Sequence, residues 1–153
     1  MRSEETDVAG APTLLPPPPR AQGSYRPAVR HADLVMTAGM TPRVDGRLRH
    51  VGRLGAEIDV EEGRAAAAIA AGNALAAAAA AAGSLDELGR VLRMTVYVSA
   101  VDGFTEHTRV ADGASERLAA LVGDRGAAVR SAVGVASLPG GACVEVELTC
   151  SLR

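Results

Sequence analysis

Near the end of the chain stand two residues whose chemistry could serve a reaction, Arg130 and Glu145. A guanidinium stays charged at any working pH and can grip a carboxylate through two parallel hydrogen bonds, so Arg130 is a candidate anchor for an acid. A carboxylate beside a bound water can accept its proton, which makes Glu145 a candidate general base. Both lie in strand-like runs, residues 129–138 and 143–152, joined through Pro139-Gly140-Gly141. If these two strands form a hairpin, residues near 130 meet residues around 149. Glu145 is then offset on the order of 13 Å along the ladder, at about 3.3–3.4 Å per residue. The pair can act together only if the two side chains come from different subunits or the strands are not simple neighbours. An interface ion pair for Arg130 and a solvent-facing strand position for Glu145 stay open as plainer readings.

Other chemistries find no residues here. The sequence has no CxxC pair or HExxH, and His31, His50 and His107 are widely spaced, so no metal site is expected and the histidines read as surface or packing residues. There is no GxSxG elbow for a serine hydrolase. Gly140-Gly141 sits between strands rather than opening a helix, so it is no phosphate cradle. All sixteen Lys and Arg residues are arginine, which leaves no amine for Schiff-base chemistry. No cofactor is expected. The net charge of −2 and an aromatic content of 2 % offer neither a basic groove nor stacking rings for nucleic acid. Asp86, Glu87 and the Glu61-Glu62 pair read as solvated or capping charges.

The elements that would position the pair follow from periodicity. Residues 1–23, with prolines at 16–19, read as an extended, poorly structured lead-in, and 24–153 as one domain. Residues 25–30 and 34–38 flank His31-Ala32-Asp33 as a hairpin, and Asp45-Gly46 marks a second turn, between 43–44 and 48–51. Asp59 with Glu62 forms a capping box for a helix through the alanine run to Ala82, stopped by Gly83. The run has the length of a membrane span, but Gly72 and Asn73 interrupt it and alanine is only weakly apolar, so no membrane is expected. Gly72 and the alanines would let this helix lie close on a sheet. Residues 91–99 alternate, with Leu92, Met94, Val96 and Val98 on one face. Asp102 would cap a second helix to Val122, stopped by Gly123. The order strands, helix, strand, helix, strand, strand is α+β: a mixed sheet with two helices on one face, the other left for neighbouring subunits. An apolar fraction of 48 % that is largely alanine buries little area per residue, which also favours an oligomer. Cys143 and Cys150, seven apart, would point to opposite faces as free thiols. The acidic start shows no secretory signal, and a cytoplasmic location is expected.

At these residues the sequence resembles the RidA (YjgF) family of imine/enamine deaminases. The most specific match is Val129-Arg130-Ser131-Ala132-Val133-Gly134-Val135-Ala136-Ser137-Leu138-Pro139 followed by Val144-Glu145-Val146-Glu147. Supporting matches are Tyr25-Arg26-Pro27-Ala28-Val29, Leu34-Val35-Met36-Thr37-Ala38-Gly39, and Val96-Tyr97-Val98 before Phe104. Val60-Glu61-Glu62-Gly63 and Val110-Ala111-Asp112-Gly113-Ala114-Ser115 resemble a longer-helix branch. The resemblance implies a chorismate-mutase-like homotrimer with a cleft between each pair of subunits and a small carboxylate-bearing ligand. It implies that Arg130 holds the carboxylate of a 2-imino or 2-enamino acid, and that Glu145 positions or activates the attacking water. Tyr25 and backbone near Gly39 would line the cleft, as would Ala132, which stands where the family often has cysteine. Ala38 and Met40 also depart from the serine and glutamine common around the glycine, and Thr108 from a frequent asparagine. The implied activity is hydrolytic deamination. A non-catalytic carboxylate-binding trimer is the alternative, and a ribonuclease role ascribed to some relatives suits this composition poorly.

Overall fold

Alanine's helix propensity carries the chain from Asp59 into α1 (Val60–Ala82) of the computed structural model, which describes residues 14–153. The Asp59 carboxylate accepts from Glu62 N–H at 2.8 Å, and the Glu62 side chain accepts from Asp59 N–H at 2.9 Å, closing the capping box; Gly83 ends the helix. Before α1 come β1 (Ala28–His31), β2 (Leu34–Thr37), β3 (Arg43–Val44) and β4 (Arg47–Leu48). After it come β5 (Leu88–Ser99), α2 (His107–Val122), β6 (Val129–Val135) and β7 (Val144–Leu152). The β3–β4 turn is Asp45-Gly46, both residues at positive φ, as a two-residue hairpin requires.

The main sheet has the order β1-β2-β7-β5-β6, with β5 and β6 parallel and the other pairs antiparallel. Both helices lie on one face, so the α+β reading holds. The expected hairpin of the last two strands does not form. The chain after β6 passes through a one-turn helix at Pro139–Gly141 and returns on the far side of β5, so β5 lies between β6 and β7. The run 129–138 also ends as a strand at Val135.

The core sits between the helices and the sheet. Val144, Val146, Leu148 and Cys150 of β7 face it, with Val91, Met94, Val96 and Val98 of β5. Leu92, expected to share that face, points outward instead. Register slips on either side of Val91 turn that residue inward and leave Leu92 38 % exposed. The start of α2 also moves: Asp102-Gly103 is a turn with Gly103 at φ +84°, and the helix begins after Glu106. Gly72 does not face the sheet, since a Cβ there would meet Pro16 and Arg117 at 3.7 Å. The close approach belongs to Gly63 and Gly113, where α1 and α2 meet: a Cβ on Gly113 would lie 2.2 Å from the Arg64 carbonyl oxygen.

The outer side of α1 is covered as well. Residues 14–23 form no helix or strand, yet Leu15 packs against the core, Pro16 lies over Gly72, and Arg117 donates to the Leu14 carbonyl at 3.3 Å. Leu14 to Pro16 therefore lie against the helices; residues 1–13 of the expected lead-in lie outside the described residues. Helix α1 is long and apolar enough to cross a membrane, and 72 % of its apolar window is buried within this fold. Both cysteines are free and buried, with Cys150 on the core side of β7 and Cys143 just before the strand, where alternation does not apply. Burial pushes the Cys143 thiol up to about 11 and the Cys150 thiol up to about 12.

Candidate functional site

Strand register sorts the candidate residues onto two faces. Arg130 pairs with Met94 and Ala132 with Val96, both core residues, so Arg130 and Ala132 point toward the helices. Glu145 pairs with Tyr97 and points the other way. Within one chain, then, Arg130 and Glu145 are separated by the sheet itself and by strand β5. Of the two ways in which the pair could cooperate, only a cleft between subunits is left.

The helix face is built by α2. Thr108, Asp112 and Ser115 recur at i, i+4 and i+7, which stacks them on one side of the helix, above β6. One terminal nitrogen of Arg130, Nη1, donates to Asp112 Oδ1 at 2.9 Å and to Ser115 Oγ at 2.8 Å. The other, Nη2, donates to the Thr108 carbonyl at 3.4 Å. The Arg130 side chain is 19 % exposed, so this ion pair is partly shielded from water. Arg130 is thus ion-paired within its own chain, where the plainer reading of the sequence was an ion pair across an interface. Its Nε–H, and the second Nη2 hydrogen, have no partner among the described residues. That is the edge of a guanidinium that can take a carboxylate side-on. Four residues along β6, Gly134 lets His107 lie directly over the strand, where His107 also meets the Phe104 ring edge-on at 5.2 Å. His107 is a packing residue, as its isolation in the sequence suggested.

The open face is built by a missing side chain. Met40 and Val146 exchange backbone hydrogen bonds of 2.8 and 2.9 Å, which lays residues 38–40 beside β7. A Cβ on Gly39 would fall 2.5 Å from the Glu145 Cδ, so the carboxylate occupies space that only glycine leaves. Burial, and then the negative charge of Glu147, hold the Glu145 carboxyl above its ordinary range. Tyr97, directly across from Glu145, donates its hydroxyl to Glu147 Oε1 at 2.8 Å. That hydrogen bond, with burial and the two carboxylates, raises the Tyr97 hydroxyl in turn. Ala38 N–H donates to the Pro27 carbonyl at 2.8 Å, which keeps the bend before β1, where half-exposed Tyr25 stands outside the strand expected over 25–30, near this segment. Met40 is buried in the core, so its departure from the expected polar residue concerns packing.

The structure therefore brings Gly39 to Glu145, and Arg130 with Ala132 to α2, but does not join the two groups in one chain. Asp112 and Ser115 escaped the sequence reading as site residues. Their signal was the i, i+4, i+7 polar spacing with Thr108, legible only once the helix is known to pack over β6.

A family model described as "YjgF/chorismate mutase-like, putative endoribonuclease" matches residues 5–150. Protein TCP17 of Trypanosoma cruzi is 39 % identical over 135 residues, covering 83 % of this chain and 84 % of that protein. A solved Shewanella oneidensis structure carrying the same endoribonuclease description is 31 % identical, covers 94 % of each chain and superposes with a TM-score of 0.87. A structure of unknown function from Agrobacterium tumefaciens is 34 % identical, with a TM-score of 0.82 over 85 % of this chain and 82 % of its own.

Proposed function

The chain belongs to the YjgF/chorismate mutase-like family, and from that membership we propose that it assembles as a homotrimer that hydrolyses 2-imino and 2-enamino acids to 2-oxo acids and ammonia. The observation that carries this reading is the division of the site. An acid-binding guanidinium and a half-buried carboxylate of raised pKa occupy opposite faces of one sheet, each lacking the other's chemistry. A neighbouring subunit that presents its open face to the β6–α2 edge would supply what is missing. That open face has apolar surface to bury: Leu34, Met36, Val129 and Val133 all point away from the helices and are exposed.

In the completed cleft the free edge of Arg130 holds the substrate carboxylate, which fixes the imine carbon nearby. Glu145 of the adjoining subunit accepts a proton from water as the oxygen adds to that carbon. Glu145 returns that proton to the nitrogen, and collapse of the carbinolamine, with loss of the hydroxyl proton to the departing amine, expels ammonia and leaves the 2-oxo acid; an enamine first takes a proton on carbon to become the imine. Imines hydrolyse readily, so holding the substrate and orienting one water can suffice. A carboxylate with a raised pKa is the stronger base once ionised, which suits this step. Cleavage of RNA fits less well, because a net charge of −2 and an aromatic content of 2 % supply little of the basic, stacking surface that RNA contact needs.

The Arg130–Asp112 ion pair favours one second reading, a trimer that binds a small carboxylate without turnover. Both readings meet in one assay, ammonia release from imines generated by an amino-acid oxidase. At substrate below KM, Arg130→Ala and Glu145→Gln should each lose at least about 100-fold of activity alone. Mixed, unfolded and refolded together, they should regain about a quarter of wild-type activity, since about one cleft in four then pairs two intact halves. No recovery on mixing would refute a shared cleft, and no wild-type turnover with retained 2-oxo acid binding would establish the non-catalytic reading.

A further inference from the structure

Asp112 stands against the one cation that would bind the ligand, an arrangement that costs affinity unless it selects among ligands. The ion pair engages Nη1 only, with Ser115 completing that corner, so the guanidinium is held in place with its Nε edge outward. Asp112 is itself 44 % exposed, so its charge is felt in the space the Nε edge faces. The nearby cation Arg64 is drawn first to Glu116, at 2.7 Å, and only last to Asp112, so it answers little of that charge. The half-site therefore carries one positive and one negative charge. A single carboxylate can share Arg130 with Asp112. A second anionic group on the same ligand would meet Asp112 without a cation to answer it, and Glu145 across the cleft would add to the repulsion.

We infer that Asp112 is a specificity-determining and positioning residue: it orients Arg130 and restricts the site to ligands with one net acid group, such as zwitterionic or neutral-side-chain 2-imino acids, against dicarboxylates and phosphorylated acids. The inference rests on the carboxylate-binding reading of Arg130.

The test is calorimetric titration of the assembled protein with 2-oxobutyrate and with 2-oxoglutarate. Wild type should bind the monocarboxylate at least about tenfold more tightly. Asp112→Asn, which keeps a hydrogen-bonding oxygen but removes the charge, should shrink that preference by about tenfold, mainly through gained affinity for 2-oxoglutarate. Ser115→Asp, which adds a second negative charge at the same corner, should widen the preference and serves if the first variant folds poorly. An unchanged ratio in whichever variant folds overturns the inference while leaving the anchor intact. Binding that survives Arg130→Ala overturns the anchor itself, and this inference with it.

Discussion

Arg130 and Glu145 are positioned by opposite means. Arg130 is held by what surrounds it: two side chains and a carbonyl of α2 fix its guanidinium above β6. Glu145 is held by what is missing, since its carboxylate rests where a side chain on Gly39 would be, and among the described residues no charged partner offsets its burial. The first arrangement stabilises a charge and keeps it fixed. The second leaves a charge unanswered and raises its affinity for a proton. A binding group gains from rigidity, whereas a base gains from a proton affinity raised by its environment. The difference between the two faces is thus the difference expected between anchoring and catalysis.

The comparison can be broken most sharply at the base. Glu145→Gln should lower kcat by about 10²–10⁴-fold with KM little changed, read by steady-state ammonia release. In wild type, the rate should rise with pH through a carboxylate pKa above the usual glutamate range, because the ionised form is the active one, and the variant should lose that limb. The stability sign runs opposite. A raised carboxyl favours the fold below its unfolded pKa and withdraws that support as pH rises through the folded one. Glu145→Gln should therefore melt higher than wild type at neutral pH.

Next in size, Arg130→Ala should cost about 10²–10³-fold in kcat/KM, chiefly through KM, by removing a charge-assisted anchor and leaving Asp112 unpaired. Gly39→Ala should separate the faces more gently: the methyl displaces Glu145, so kcat should fall by about tenfold or more while 2-oxo acid affinity, measured calorimetrically, stays near wild type. Equal damage to both quantities would mean that the halves are not independent. Smallest, Asp59→Ala removes a cap remote from both halves and should lower stability by about 0.5–2 kcal/mol in denaturant titration without changing kcat or KM.

Local rules carried much of this molecule. Asp59 and Glu62 announced the helix start, Gly83 and Gly123 the helix ends, Asp45-Gly46 the tight hairpin, and the alternation of Val144, Val146 and Leu148 the buried face of β7. Each depends on residues within a turn or a strand of one another, and so can be read along the chain. Which strand lies beside which cannot be read that way, because hydrogen bonding between strands is satisfied equally by any partner with a matching face. A short connection between β6 and β7 suggested a hairpin; instead α2 carries the chain across so that β6 pairs parallel with one edge of β5, and β7 takes the other edge. Arg130 and Glu145 were legible as candidates from their types. That they face opposite ways, that Asp112 stands against one and empty space at Gly39 receives the other, was decided by register and helix packing, which join residues far apart in sequence through contacts that only the folded chain makes.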